Sequence, residues 1–225
     1  MNQALSMHRS TVGKKILMAG TGFILLGFVF VHMLGNLKVY MGPEKLDAYG
    51  HFLREVGYPA LGHGDVLWIF RLTLLAAVAI HLWAVTSLTL TNRKARSVKY
   101  KKWTAEESSY ASRTMVWGGV IIALFVVFHI AHLTTGQAHP NFEHGAVYAN
   151  LVSGFQVWWV SVFYIVANLA LGLHLYHGFW SMLRTLGANN PRFEKIRRGA
   201  SVAFALIVVV GNISIPVAVL TGLVS

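Results

Sequence analysis

Residues 17–37 read LMAGTGFILLGFVFVHMLGNL. The run carries no Asp, Glu, Lys or Arg. It matches the roughly 20 apolar residues that a helix needs to cross a bilayer. Lipid offers the backbone no hydrogen-bond partner, so a run of this kind spans as a helix. His32 nevertheless sits inside it. Three later apolar stretches repeat the pattern, with His81, with His129 and His132, and with His174 and His177. An ionisable ring within a membrane helix is costly and marks a functional site. Imidazole is a common metal ligand and an axial ligand of haem iron. Four such helices suffice to hold two haems.

Composition agrees with a membrane protein. Of the 225 residues, 55% are hydrophobic and 12% charged, and the mean hydropathy is +0.55. With no cysteine, disulfides, thiolate-held iron–sulfur clusters and covalent haem attachment are excluded. A haem here is of the non-covalent b kind. The formal net charge of +11 is not read as a nucleic-acid footprint, because the cations lie at the ends of apolar spans. The basic N-terminus lacks a small-residue cleavage site after a short apolar core, so the first helix is expected to be retained.

These features give an all-α membrane protein with one domain over residues 1–225. Its five transmembrane helices are expected at about residues 13–37, 66–90, 113–135, 154–184 and 199–224. The first four form the haem-binding bundle. The connection 38–65 holds DAYGHFLREV, which has the spacing of a short interfacial helix. Gly20, Gly22 and Gly27 on the first helix admit a neighbouring helix or a flat ligand. Lys and Arg number three at the N-terminus, seven over residues 93–113 and five over 184–198. Three lie in the first connection and none in the third or after the last helix. The positive-inside rule then places the N-terminus in the cytoplasm and the C-terminus outside.

Topology converts position into depth, at 1.5 Å per helical residue. Counted from the nearest cytoplasmic cation, His32 and His129 lie about 25 and 24 Å deep. His81 and His174 lie at about 18 and 15 Å. Two depth-matched pairs result, His32 with His129 and His81 with His174. His132 falls at about 28 Å and His177 at about 10 Å, which fits less well. The loop residues His51, His63, His139 and His144 are expected to be solvated or interfacial. Arg71, near the start of the second helix, is a snorkelling arginine or a haem-propionate partner. All eight acidic residues fall in connections, so no carboxylate relay of the kind that pumps and transporters use lies mid-membrane.

Four segments carry a family resemblance: VHMLGNLKVYMGPEKLDAYGHFLREVG from Val31, LWIFRLTLLAAVAIHLWA around His81, VFHIAHLTTGQAHPNF from Val127 and LHLYHGFWSMLRTLGANNP from Leu173. Together they resemble the cytochrome b558 subunit of bacterial succinate dehydrogenases. They are also similar to the membrane subunit of diheme quinol:fumarate reductases. The resemblance implies a multi-pass anchor in the bacterial inner membrane with two b haems. A flavoprotein carrying FAD and an iron–sulfur protein would be its cytoplasmic partners, docked on the basic loops 93–113 and 184–198. Electrons from succinate would pass through the partners and both haems to a membrane quinone, which the resemblance implies is menaquinone.

In that family the first and third helices supply one ligand pair and the second and fourth the other. This points to His32, His81, His129 and His174 as the iron ligands. His129 and His132 both fit the third motif, and His177 lies three residues after His174, so these choices stay open in the sequence. An outer quinone site would draw on Glu55 and Asp65. The competing readings are the reverse fumarate reductase, the cytochrome b anchor of a formate dehydrogenase or hydrogenase, and a haem-free transporter. The sequence contains no recognisable dicarboxylate site.

Overall fold

The computed structural model describes residues 10–95, 110–188 and 190–225, with backbone alone at 110–114. Of the basic loop 93–113, Arg96, Lys99, Lys101 and Lys102 therefore lie outside the described residues. So do Glu106 and Glu107. The described residues form helices and turns and no strand.

The first helix, α1 (Thr11–Asn36), starts at Ser10, whose hydroxyl accepts from the Gly13 amide at 2.9 Å. A short 3₁₀ turn, Leu37–Met41, leads to Gly42 at φ 91° and Pro43 at the first position of α2 (Pro43–Glu55). Glycine tolerates that φ, and proline pre-sets the next helix. A helix is therefore present where the sequence reading expects a short one, and it is longer than the spacing suggests. Next comes α3 (Asp65–Lys94), with Asp65 in its first turn and Arg93 and Lys94 in its last. Both ends suit the helix dipole. The chain then runs through α4 (Tyr110–Leu133), α5 (Val147–Gln156), α6 (Trp158–Thr185), a 3₁₀ turn (Pro191–Phe193) and α7 (Glu194–Leu220). Among the described residues, five helical stretches are long and apolar enough to cross a membrane: Thr11–Met41, Asp65–Lys94, Met115–Leu133, Trp158–Thr185 and Pro191–Leu220.

Two boundaries depart from the sequence reading. The expected fourth helix, 154–184, is two helices that break at Val157, which adopts φ −74° and ψ 103°. The buried Ser161 hydroxyl donates to the Phe155 carbonyl at 2.6 Å, satisfying a group that the break would strand. The spanning helix α6 begins at the exposed Trp158 and Trp159. Such residues suit a membrane interface. The shorter α5 packs against α2, and the Asp47 carboxylate accepts from the Tyr148 amide in its first turn, at 2.9 Å.

The expected fifth helix, 199–224, begins earlier, at Glu194. Its carboxylate pairs with Arg197 at 2.6 Å and Arg198 at 2.7 Å, three and four residues on. Such pairs and an acid in the first turn favour helix. Arg197 is buried and also donates to the carbonyls of Ala188 and Asn190. Part of the basic segment 184–198 is thus helix, and one of its cations clamps the turn before α7.

Helix α3 packs on α1, α4 on α6 and α7 on α6, while α1 also meets α6 and α7. One apolar cluster gathers Val39, Leu46, Phe155, Val160, Tyr164 and Ile215, around α5. A second joins Met33, Leu175, Ala205 and Val208 between α1, α6 and α7. Many large apolar side chains point outward, among them Phe23, Leu75, Trp117, Val127 and Leu206. Such a surface is unfavourable in water and natural in lipid.

Candidate cofactor site

Helix α1 carries His32, α3 His81, α4 His129 and His132, and α6 His174 and His177. The rings of His32 and His129 meet with centroids 5.8 Å apart and planes at 79°. Those of His81 and His174 meet at 6.4 Å and 61°. The two pairs that depth selects in the sequence are thus two pairs that touch in space.

The spacing suits one metal between two imidazoles. A bond from imidazole nitrogen to a first-row metal is about 2.0–2.1 Å. Ring centroids 5.8 and 6.4 Å apart lie within reach of one ion held by both imidazoles of a pair. Among the described residues no three His, Asp or Glu side chains converge on one point. Two imidazoles alone suit an iron whose remaining ligands come from a macrocycle. Gly22 lies against the His81 ring, where an added Cβ would sit 3.6 Å from Cε1. Gly20 and Gly27 border open space.

Surroundings separate the pairs from the other histidines. His32 is exposed, and His81, His129 and His174 are half-buried. His32 stacks on Phe28, at 5.2 Å and 12°. The His81 Nδ1 lies 3.1 Å from the Thr21 hydroxyl. The His174 Nδ1 is buried without a partner. His177 makes its ring contact with Trp180, at 5.9 Å.

His132, in contrast, is fully enclosed, at 0% exposure. It stacks between Phe128, at 5.5 Å, and His139, at 5.0 Å. Its Nδ1 lies 3.0 Å from the Tyr164 hydroxyl, which also reaches His129 Nδ1 at 3.2 Å. A ring closed on all sides has no edge for a cofactor, which separates His132 from His129.

His139 corrects the expectation of a solvated loop residue, because it is buried. Gly136, at φ 77°, turns the loop back over α5. There His139 Nε2 donates to the Asn150 carbonyl at 2.8 Å, and its Nδ1 accepts from the Asn141 amide at 3.0 Å. The stack rests on Gly154, where an added Cβ would lie 2.6 Å from His132 Cε1 and 2.8 Å from Nε2. Gly154→Val is therefore expected to cost about 1–3 kcal/mol by overpacking. A lowered Tm in detergent would register it, and a wild-type Tm would show that the stack yields.

Three further expected residues are engaged locally. Glu55 pairs with His63 at 2.9 Å, both exposed, and Tyr58 stacks on His63 at 4.1 Å. Asp65 accepts from the Gly62 amide at 2.8 Å. The Arg71 guanidinium lies over Trp68, 5.0 Å from the ring centre. Thr21, Tyr164 and Asn150 escaped the sequence reading. A hydroxyl within an apolar helix is the only signal that marks the first two.

Five apolar spans among the described residues define a multi-pass membrane protein, with two pairs of histidine rings meeting between its helices. Over residues 90–212 the sequence matches the succinate dehydrogenase/fumarate reductase transmembrane subunit family, and the chain belongs to it. That match contains His129 and His174, while His32 and His81 precede it. No curated protein and no solved structure matches the chain.

Proposed function

We propose that the chain is the diheme cytochrome b anchor of a succinate:quinone oxidoreductase, working as one membrane domain over residues 1–225. The observation that carries this reading is the meeting of His32 with His129 and of His81 with His174. His32 with His129 would hold one b haem and His81 with His174 the other, and Arg71 would pair with a haem propionate. Bound there, two b haems supply one-electron transfer between the two membrane faces.

The chain's own residues provide ligation, orientation and an apolar surround. Phe28 and Phe125 flank His32 and His129, and an apolar shell of this kind influences the potential. Cation placement supports a cytoplasmic N-terminus, and the resemblance implies a bacterial inner membrane. The basic segments 93–113 and 184–198 would then face the flavoprotein and iron–sulfur partners, which carry FAD, the clusters and the dicarboxylate chemistry. A membrane quinone, menaquinone by resemblance, would react at the outer side near Glu55 and Asp65. The succinate-oxidising direction is proposed over fumarate reduction.

A reduced-minus-oxidised spectrum with a pyridine haemochrome count tests the core of this reading. The expected result is two b haems per chain. A folded, colourless protein made with ample haem would overturn it.

A further inference from the structure

Each histidine pair has one ring that meets a hydroxyl from a neighbouring helix. Thr21, on α1, faces His81 of α3. Tyr164, on α6, faces His129 of α4. Both are enclosed, Thr21 at 8% exposure and Tyr164 at 5%.

A hydroxyl has one proton to give. Thr21 gives its proton to the Leu17 carbonyl at 2.7 Å, with the Met18 carbonyl at 3.2 Å. A carbonyl only accepts. What the Thr21 oxygen turns toward His81 Nδ1, at 3.1 Å, is therefore a lone pair. The contact is a hydrogen bond only when His81 carries its proton on Nδ1, which leaves the lone pair on Nε2.

Tyr164 reaches two nitrogens and can donate to one of them. Donation along the shorter contact, to His132 Nδ1, leaves the phenol oxygen to accept from His129 Nδ1–H. His129 then also presents a bare Nε2. The other His132 nitrogen, Nε2, is buried against Gly154 and has no hydrogen-bond partner among the described residues. In the chain His129→Tyr164→His132 the tyrosine hydroxyl links the two histidines.

We propose that Thr21 and Tyr164 are positioning residues that fix Nδ1–H on His81 and His129, so that Nε2 of each binds iron. The inference rests on the haem reading above. A ligating imidazole whose other N–H is held by an acceptor is oriented and made more basic. Greater basicity favours ferric over ferrous iron, so losing either hydroxyl should raise the potential of its own haem alone.

The test is a redox titration of both haems in the full chain, with haem counted, for Thr21→Val, Tyr164→Phe and Thr21→Ser. The His81→Leu and His129→Leu variants show which haem is which. Thr21→Val is expected to raise the potential of the His81 haem, and Tyr164→Phe that of the His129 haem. A tenfold change in ferric-over-ferrous preference reads as about 59 mV for one electron. Loss of the one matched haem from either variant would carry the same meaning, since outer-shell partners hold about 10–100-fold in metal affinity. Thr21→Ser, which keeps the hydroxyl, should behave as wild type.

Two haems at wild-type potentials in both Thr21→Val and Tyr164→Phe would overturn the inference and leave the haem reading intact. So would equal shifts of both haems, loss of both, or a Thr21→Ser as displaced as Thr21→Val. A wild-type chain without haem fails at the earlier step, and the two failures are therefore distinct.

Discussion

Replacing His174 by leucine is expected to leave one b haem per chain instead of two. The ring of His174 meets that of His81 and lies deep in α6. Leucine fills a similar space with no lone pair, so α6 is kept and the ligand is lost. The surviving His81 imidazole cannot hold the cofactor alone in an apolar span. Quinone-linked succinate oxidation should fall by more than about 100-fold, beyond what losing an outer-shell partner costs. Succinate oxidation with a soluble electron acceptor should persist, because the proposed function assigns that chemistry to partner subunits. His81→Leu should behave identically, since it empties the same pair. His177→Leu is the control. Its ring contact is with Trp180, and the variant should retain both haems. A haemochrome count of two for His174→Leu would overturn the pairing. A count of one for His177→Leu would move the ligand by one helical turn.

Depth was legible in the sequence because helical rise is nearly constant. With the orientation that the cations lead one to expect, counting residues pairs His32 with His129 and His81 with His174, the rings that meet in the structure. The apolar spans were legible for the same kind of reason, since lipid permits few solutions. The break at Val157 was hidden. Hydrophobic residues run through both α5 and α6, and only the Ser161 hydroxyl near the Phe155 carbonyl reveals how the chain tolerates it. The start of α7 was hidden by its charges, which read as a loop until Glu194 is seen paired with Arg197 and Arg198. The burial of His139 depends on the turn at Gly136 and on an acceptor eleven residues further on, Asn150. Thr21 and Tyr164 were hidden because their histidine partners lie 60 and 35 residues away. Periodicity reports which face a residue occupies; it does not report what stands across from it.

The choice between His129 and His132 yields the second large effect, because the two lie one turn apart on α4 and fit the same motif. His129→Leu should remove the outer haem. It is half-buried, and its ring neighbour on α1 is His32. His132→Leu should keep both haems while shifting the potential of the outer one. The fully enclosed His132 meets Phe128, His139 and the Tyr164 hydroxyl, so its loss acts on His129 at second hand. The same change removes a buried hydrogen-bond partner from Tyr164, which should cost about 1–3 kcal/mol of stability. His132→Leu should therefore unfold at a lower temperature than wild type while its haem count stays at two. Should His132→Leu lose a haem and His129→Leu keep both, the iron would lie one helical turn further out. His32 would then have no ring partner at its own depth, and the two-layer arrangement would fail with it.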